Sequence, residues 1–174
     1  MKITLRDFPT KCDWANVESI ARMTAGLPDK NVPPSEAWKR RILAARHSPI
    51  RELRFGILME DIPYWVTVHL CRHVHAQPYV ASQRNDRQDK YDRNAARQDA
   101  PVTMYWTMNA EELMTIANKR LCQKASTETR EVVEEICRLV VERCPEFSDV
   151  LVPACVYHGG VCYEMQPCDK GGKT

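Results

Sequence analysis

Apolar and polar positions recur with different periods along this chain, and the period divides it into elements. Lys2 to Arg6 alternates in the manner of a short strand. Asp13 is placed to cap a helix through Val17, Ile20, Ala21 and Met23, and Gly26-Leu27-Pro28 stops it. A loop with Pro33 and Pro34 follows. Ser35 then caps a second helix carrying Trp38, Ile42 and Leu43, which ends before the Ser48-Pro49 turn. Leu53 to Met59 alternates as a strand. The stretch Ile62 to Val74, with Trp65, Val66, His69 and Leu70 on one side, predicts a buried helix with Pro63 in its first turn.

The pattern changes at residues 84 to 97. Arg84, Arg87, Lys90, Arg93 and Arg97 recur every three or four residues among Asp86, Asp89 and Asp92, the mark of a solvated helix or loop. Val102 to Trp106 reads as a strand. Asn109-Ala110-Glu111-Glu112 is a capping-box pattern opening a helix with Leu113, Met114, Ile116, Ala117 and Leu121 inside. Thr127 to Cys144 predicts an amphipathic helix, with Val132, Val133, Ile136, Cys137, Val140 and Val141 on one stripe and Glu131, Glu134, Glu135, Arg138 and Glu142 opposite. Pro145 ends it. These elements predict an α+β fold: a single compact domain with a small mixed or antiparallel sheet flanked by helices, covering 1–147. A Cys-, Gly- and Pro-rich tail, 148–174, follows.

Length fits this reading, since 174 residues suffice for one core and fall short of two ordinary ones. Charge narrows the partners: 25 Lys and Arg against 23 Asp and Glu leave +2, which builds in no bulk attraction to nucleic acid or to a membrane surface. Apolar runs are broken well before the length of a bilayer span, and Met1-Lys2-Ile3-Thr4 opens no signal-peptide core, so a cytoplasmic setting is expected. Eight cysteines are many for that setting, and Cys137, Cys144, Cys155, Cys162 and Cys168 crowd the C-terminal part. Three readings stay open for the tail: a metal site drawing on Cys155, His158, Cys162 and Cys168, reduced structural thiols, or an oxidised pair. The spacing lacks the two-residue Cys pairs of common zinc motifs, so no metal is the favoured reading.

No Gly-rich phosphate loop occurs, so an anion here would be held by side chains. Arg72-His73 closes the predicted buried helix, Ser82-Gln83-Arg84 lies ten residues on, Arg97 precedes a Pro and a strand, and Arg120 lies within the Asn109 helix. Singly, each is an ordinary surface or helix-end cation. Guanidinium groups that converge from separate elements would form a phosphate site, because the planar fork binds phosphate oxygens bidentately. Asn109 could equally be only a helix cap, His47 and His69 satisfied core or turn histidines, and Ser82 a turn serine.

Arg72-His73-Val74, seven residues, then Ser82 and Arg84 resembles the signature of the flavin-dependent thymidylate synthases, Arg-His-Arg, seven residues, Ser, with Arg two positions later. The resemblance continues in order on both sides. His47-Ser48-Pro49-Ile50 is similar to the family's His-x-Ser/Thr-Pro segment, and Ala100-Pro101 with Tyr105-Trp106-Thr107 and Asn109 to its Leu-Pro … Phe-Trp-Thr-x-Asn stretch. Arg120 and then Ala125-Ser126, Glu128 and Arg130 follow, over roughly residues 10 to 145 in all. The resemblance implies that Ser48, Arg72, His73 and Asn109 contact the flavin, with Val74 standing at the third signature position. It implies that Ser82, Gln83, Arg84 and Arg97 hold the dUMP phosphate, with His69 and Arg72 beside the nucleotide. Arg120 matches the Arg that polarises the pyrimidine ring and is the implied catalytic residue.

The implied activity is reductive methylation of dUMP to dTMP with FAD, NADPH and methylenetetrahydrofolate, in a homotetramer with shared sites. Departures are Val74 for Arg, Val80 for an acidic residue, Glu111 for Arg, Thr115 for Asn, Ser126 for Gln, and a short stretch between Arg84 and Arg97. They imply a weaker hold on flavin. Two rivals remain: a relative that methylates or hydroxymethylates another pyrimidine nucleotide, and a non-catalytic nucleic-acid-binding protein using the 84–97 cations with a zinc tail. A thiol mechanism would have to use Cys71 or Cys122. The predicted burial of Cys71, and a helical angle of about 200° between Arg120 and Cys122, argue against both.

Overall fold

The computed structural model describes residues 1–30, 32–84, 86 and 92–168; Arg87, Asp89 and Lys90 of the charged run lie outside the described residues. The elements are β1 (Lys2–Asp7), α1 (Lys11–Thr24), α2 (Glu36–Ala44), β2 (Arg54–Pro63), α3 (Tyr64–Leu70), β3 (Gln77–Val80), β4 (Pro101–Asn109), α4 (Ala110–Arg120), α5 (Thr127–Arg143) and α6 (Ala154–Tyr157). Four strands form one sheet in the order β1-β2-β4-β3, and all three pairings are antiparallel. The expected α+β class stands, and the sheet is antiparallel rather than mixed.

Alternation along β2 and β4 turns Phe55, Ile57, Met59, Met104, Trp106 and Met108 into a core shared with the helices. On the apolar stripe of α5, Val132, Val133, Ile136 and Val140 are all buried. Phe147 seals the far end, edge-on to Phe55 at 5.4 Å and tilted against Trp14 at 6.2 Å. Val150 and Leu151, within the tail segment, belong to the same core. Gly56 sits where β2 passes under Tyr105; a Cβ there would collide with the Tyr105 hydroxyl and lie 3.1 Å from the Asp7 side chain.

Three local expectations are corrected. Thr10, not Asp13, caps α1; Asp13 is the third helical residue and completes a capping box, its carboxylate accepting from the Thr10 amide at 2.7 Å. The predicted 62–74 helix is only α3, because Ile62 and Pro63 extend β2 and pair with Val102 and Pro101. Its first amides are satisfied from the loop before β4, Tyr64 N donating to Ala100 O at 3.0 Å and Trp65 N to Gln98 O at 3.1 Å. Gln77–Val80 forms β3, an unexpected strand. Four residues with an internal Pro carry little period, and the edge position tolerates the missing amide donor.

Candidate active site

The early end of α3 decides the geometry. Arg72, His73 and Val74 fall in the turn between α3 and β3, where His73 N donates to Leu70 O at 3.1 Å and Ala76 N to His73 O at 3.1 Å. This turn sends the His73 ring inward, half-buried and 6.2 Å from the Trp106 ring, while Arg72 and Val74 stay exposed. β4 runs directly into α4 with no loop. Asn109 caps the helix, its side-chain oxygen accepting from Glu112 N at 2.9 Å.

Arg120, at the last turn of α4, lies across this junction. Its Nε donates to His73 Nε2 at 2.9 Å and its Nη2 to the His69 carbonyl at 2.7 Å. That carbonyl is one of those left open at the end of α3, where a cation is also favoured by the helix dipole. On the other side of the ring, His73 Nδ1 is 3.5 Å from a Glu112 carboxylate oxygen. The Glu112 carboxyl therefore faces His73 rather than closing a capping box. His69 in turn reaches Thr129 of α5, Nδ1 to Oγ1 at 3.2 Å, and stands edge-on to Trp65. Four elements thus fix one guanidinium.

Burial, reinforced by the Arg120 and Arg72 charges, pushes the His73 imidazole down to about 4, so the ring is neutral near pH 7. Burial also lowers Arg120 below the usual guanidinium range, with Arg72 adding to it, and raises the Glu112 carboxyl. Beside Glu112 a cavity of about 490 Å³ opens, lined by Arg51, His75, Asn109, Glu111 and Thr115 as well. Glu111 is ion-paired with Arg51 across it.

The remaining expected residues lie apart from this cluster. Ser48 is exposed and opens a short turn before β2 whose Pro49 and Ile50 are buried. Ser82 and Gln83 line a small cavity of about 170 Å³ with Asp61 and residues 101–103. Arg84 is exposed and forks onto Asp86 at 2.8 and 2.6 Å; Arg97 is exposed and forks onto Asp99 at 2.8 and 3.0 Å. Each guanidinium thus has a neighbour two residues along as its partner, and the two share no contact among the described residues. Glu112 is the member of the cluster that sequence reasoning missed. Its capping-box position hid it, and only the inward turn at His73 gives it a second purpose.

The cysteines take other places. Cys137 and Cys144 are buried in the core and pushed up to about 12 by burial, which makes them inert. Cys71 is exposed beyond the end of α3, correcting its expected burial, though desolvation still raises its thiol. Cys122 lies past the end of α4, so a helical angle does not apply to it; it lines a cavity of about 550 Å³ under the tail, away from the His73 cluster. Cys155, His158, Cys162 and Cys168 also border that cavity, yet among the described residues no three His, Cys, Asp or Glu side chains are grouped to hold a metal ion. His158 is instead edge-on to Tyr157 and Tyr163, each at 5.2 Å. Among the described residues no helix is long and apolar enough to cross a membrane.

Residues 92–146 match the family model described as thymidylate synthase complementing protein. No curated protein matches the sequence. Among solved structures, a UMP/dUMP methylase from Streptomyces cacaoi bound with 5-Br dUMP is similar at 16% identity, with a TM-score of 0.67 over 87% of this chain and 96% of that one. The flavin-dependent thymidylate synthase from Helicobacter pylori complexed with FAD and dUMP is similar at 14% identity, with a TM-score of 0.68 over 86% of this chain and 99% of that one. The sequence resemblance, the family match at 92–146 and the shared architecture agree: the chain has the fold of the flavin-dependent thymidylate synthases.

Proposed function

We propose that the protein is a flavin-dependent methylase of a pyrimidine nucleotide, converting dUMP to dTMP with methylenetetrahydrofolate as carbon source, NADPH as reductant and FAD as cofactor. The observation that carries the reading is Arg120. Its Nε and Nη2 are committed to His73 and His69, which holds the guanidinium plane still, and no protein acceptor takes Nη1 among the described residues. A guanidinium so held, partly desolvated and with donors to spare, suits negative charge developing on a pyrimidine carbonyl and ring nitrogen. The same residue occupies the catalytic position that the sequence resemblance implies.

The flavin fits this chain in part. Arg72 offers an exposed cation, Asn109 and His75 wall an open cavity of about 490 Å³, and the charge of Glu111 is offset by Arg51, while the Glu112 carboxyl turns to His73. FAD, when bound, would accept and pass on hydride. Ser48, Arg72 and Asn109 would hold it; the His73 ring is occupied by its own two partners, and Val74, 82% exposed, brings no charge. Val68, Val74 and Tyr79 are exposed apolar side chains of the kind that further copies of the chain would cover in a homotetramer with shared sites. Ser82, Gln83, Arg84 and Arg97 would take the nucleotide phosphate, with Asp86 and Asp99 giving up their arginines to it.

A nucleic-acid-binding role is disfavoured by the near-balanced charge of the chain, +2, and by the aspartates interleaved with the cations of residues 84–97. The test is product analysis: protein incubated with FAD, NADPH, methylenetetrahydrofolate and either dUMP or UMP should yield the 5-methylated nucleotide. A hydroxymethyl product would move the reading to the related chemistry. No product from either nucleotide, together with salt-dependent DNA binding, would overturn it.

A further inference from the structure

Arginine can only donate, so the His73 Nε2 that receives Arg120 Nε–H at 2.9 Å must carry a lone pair. A neutral imidazole then has its single proton on Nδ1. That nitrogen faces Glu112, 3.5 Å away, and the Glu112 side chain is buried to 7% exposure beneath the ring. The chain Glu112, His73, Arg120 spans a helix start, a turn and a helix end, with the first two 39 positions apart in sequence. No local rule requires it, because Asn109 alone caps α4.

We propose that Glu112 is a positioning residue for Arg120. Its carboxylate faces Nδ1 as the acceptor for Nδ1–H, holds the His73 ring in the Nδ1–H form, and so keeps Nε2 open as the acceptor that orients the guanidinium. With the ring in the opposite form, Nε2–H would point at Arg120 Nε–H and the hydrogen bond would be lost. The role of Glu112 in orienting Arg120 does not depend on ligand. Its effect on turnover rests on the methylase reading above.

Two readouts separate these. In ligand-free protein, nitrogen NMR of the imidazoles at pH 7 should show His73 protonated at Nδ1 and bare at Nε2. Glu112→Leu should move it toward the Nε2–H form, while Glu112→Gln, which keeps an acceptor oxygen, should largely preserve Nδ1–H. In the methylase assay, Glu112→Leu should lower kcat roughly ten- to hundredfold with little change in KM for the nucleotide, and Glu112→Gln should recover most of that loss. A wild-type His73 found in the Nε2–H form overturns the proposal, whether or not the variants fold. So does a Glu112→Leu protein whose His73 and kcat are both unchanged. Wild-type protein with the predicted tautomer but no methylase activity overturns the functional reading and leaves the positioning role standing.

Discussion

Arginines dominate two regions of this molecule, and the two use them differently. At the α3–α4 junction, Arg120 reaches His73 and the His69 carbonyl, residues 47 and 51 positions away, and is partly buried. In the 84–99 segment, Arg84 and Arg97 each grip an aspartate two positions on, and both pairs are exposed. Burial makes the first set expensive to break, since a stripped donor or acceptor there loses water as well as its partner. Exposed local pairs contribute little and exchange readily. One region therefore holds a group in place, and the other keeps forks that would be available, on the proposed reading, to an anion that outcompetes aspartate.

Mutation can break the comparison at its strongest point. Arg120→Ala should cut turnover by roughly a hundredfold or more, the scale of losing a placed donor at a developing negative charge. Steady-state rates with saturating nucleotide check this, and a variant with near-normal kcat would remove Arg120 from the chemistry.

Arg84→Ala should come next, weakening dUMP by about one to two decades while leaving FAD binding less affected. Titration calorimetry with each ligand separates the two. Equal losses for both would mean that Arg84 acts on the fold or on a common site.

A pH titration sharpens the buried side. His73 is lowered to about 4 from 6.5, so the unfolded chain binds more protons across that window. Its contribution to stability therefore rises with pH between about 4 and 6.5 and is lost as pH falls from 6.5 toward 4. Glu112, raised by burial, works in the opposite sense above its ordinary range and offsets part of this. A proton NMR titration should place the His73 midpoint well below the ordinary histidine value. A midpoint at 6.5 would show that the ring is neither buried nor pressed by Arg120.

The smallest effects belong to the exposed pairs and the exposed thiol. Asp86→Asn and Asp99→Asn should each tighten dUMP by at most a few-fold, because an exposed ion pair contributes little. Cys71→Ala should leave turnover unchanged, because the thiol stands outside the Arg120 cluster and its thiolate is disfavoured.

Much of the fold was legible from periodicity, as α5 and the Asn109 helix show: both have one apolar stripe that packs on the sheet and a capping or Pro boundary. The failures have a common cause. At Ile62-Pro63 tertiary pairing decided between helix and strand where apolar residues satisfied either, and at β3 it made a strand of four residues too few to show a period. At the site, ordered short motifs pointed to Arg72, His73 and Arg120, because their spacing survives without knowledge of the path. Glu112 was not legible in that way. Its sequence position announces a helix start, and its partner His73 is reached only because α3 stops at Leu70.

The most direct test of the account is release of tritium from 5-labelled dUMP, with FAD, NADPH and methylenetetrahydrofolate supplied together and omitted one at a time. The account predicts release by the wild-type protein that requires FAD and reductant, persists in Cys71→Ala and Cys122→Ala, and disappears in Arg120→Ala. Release that needs no flavin and vanishes in either cysteine variant would contradict it.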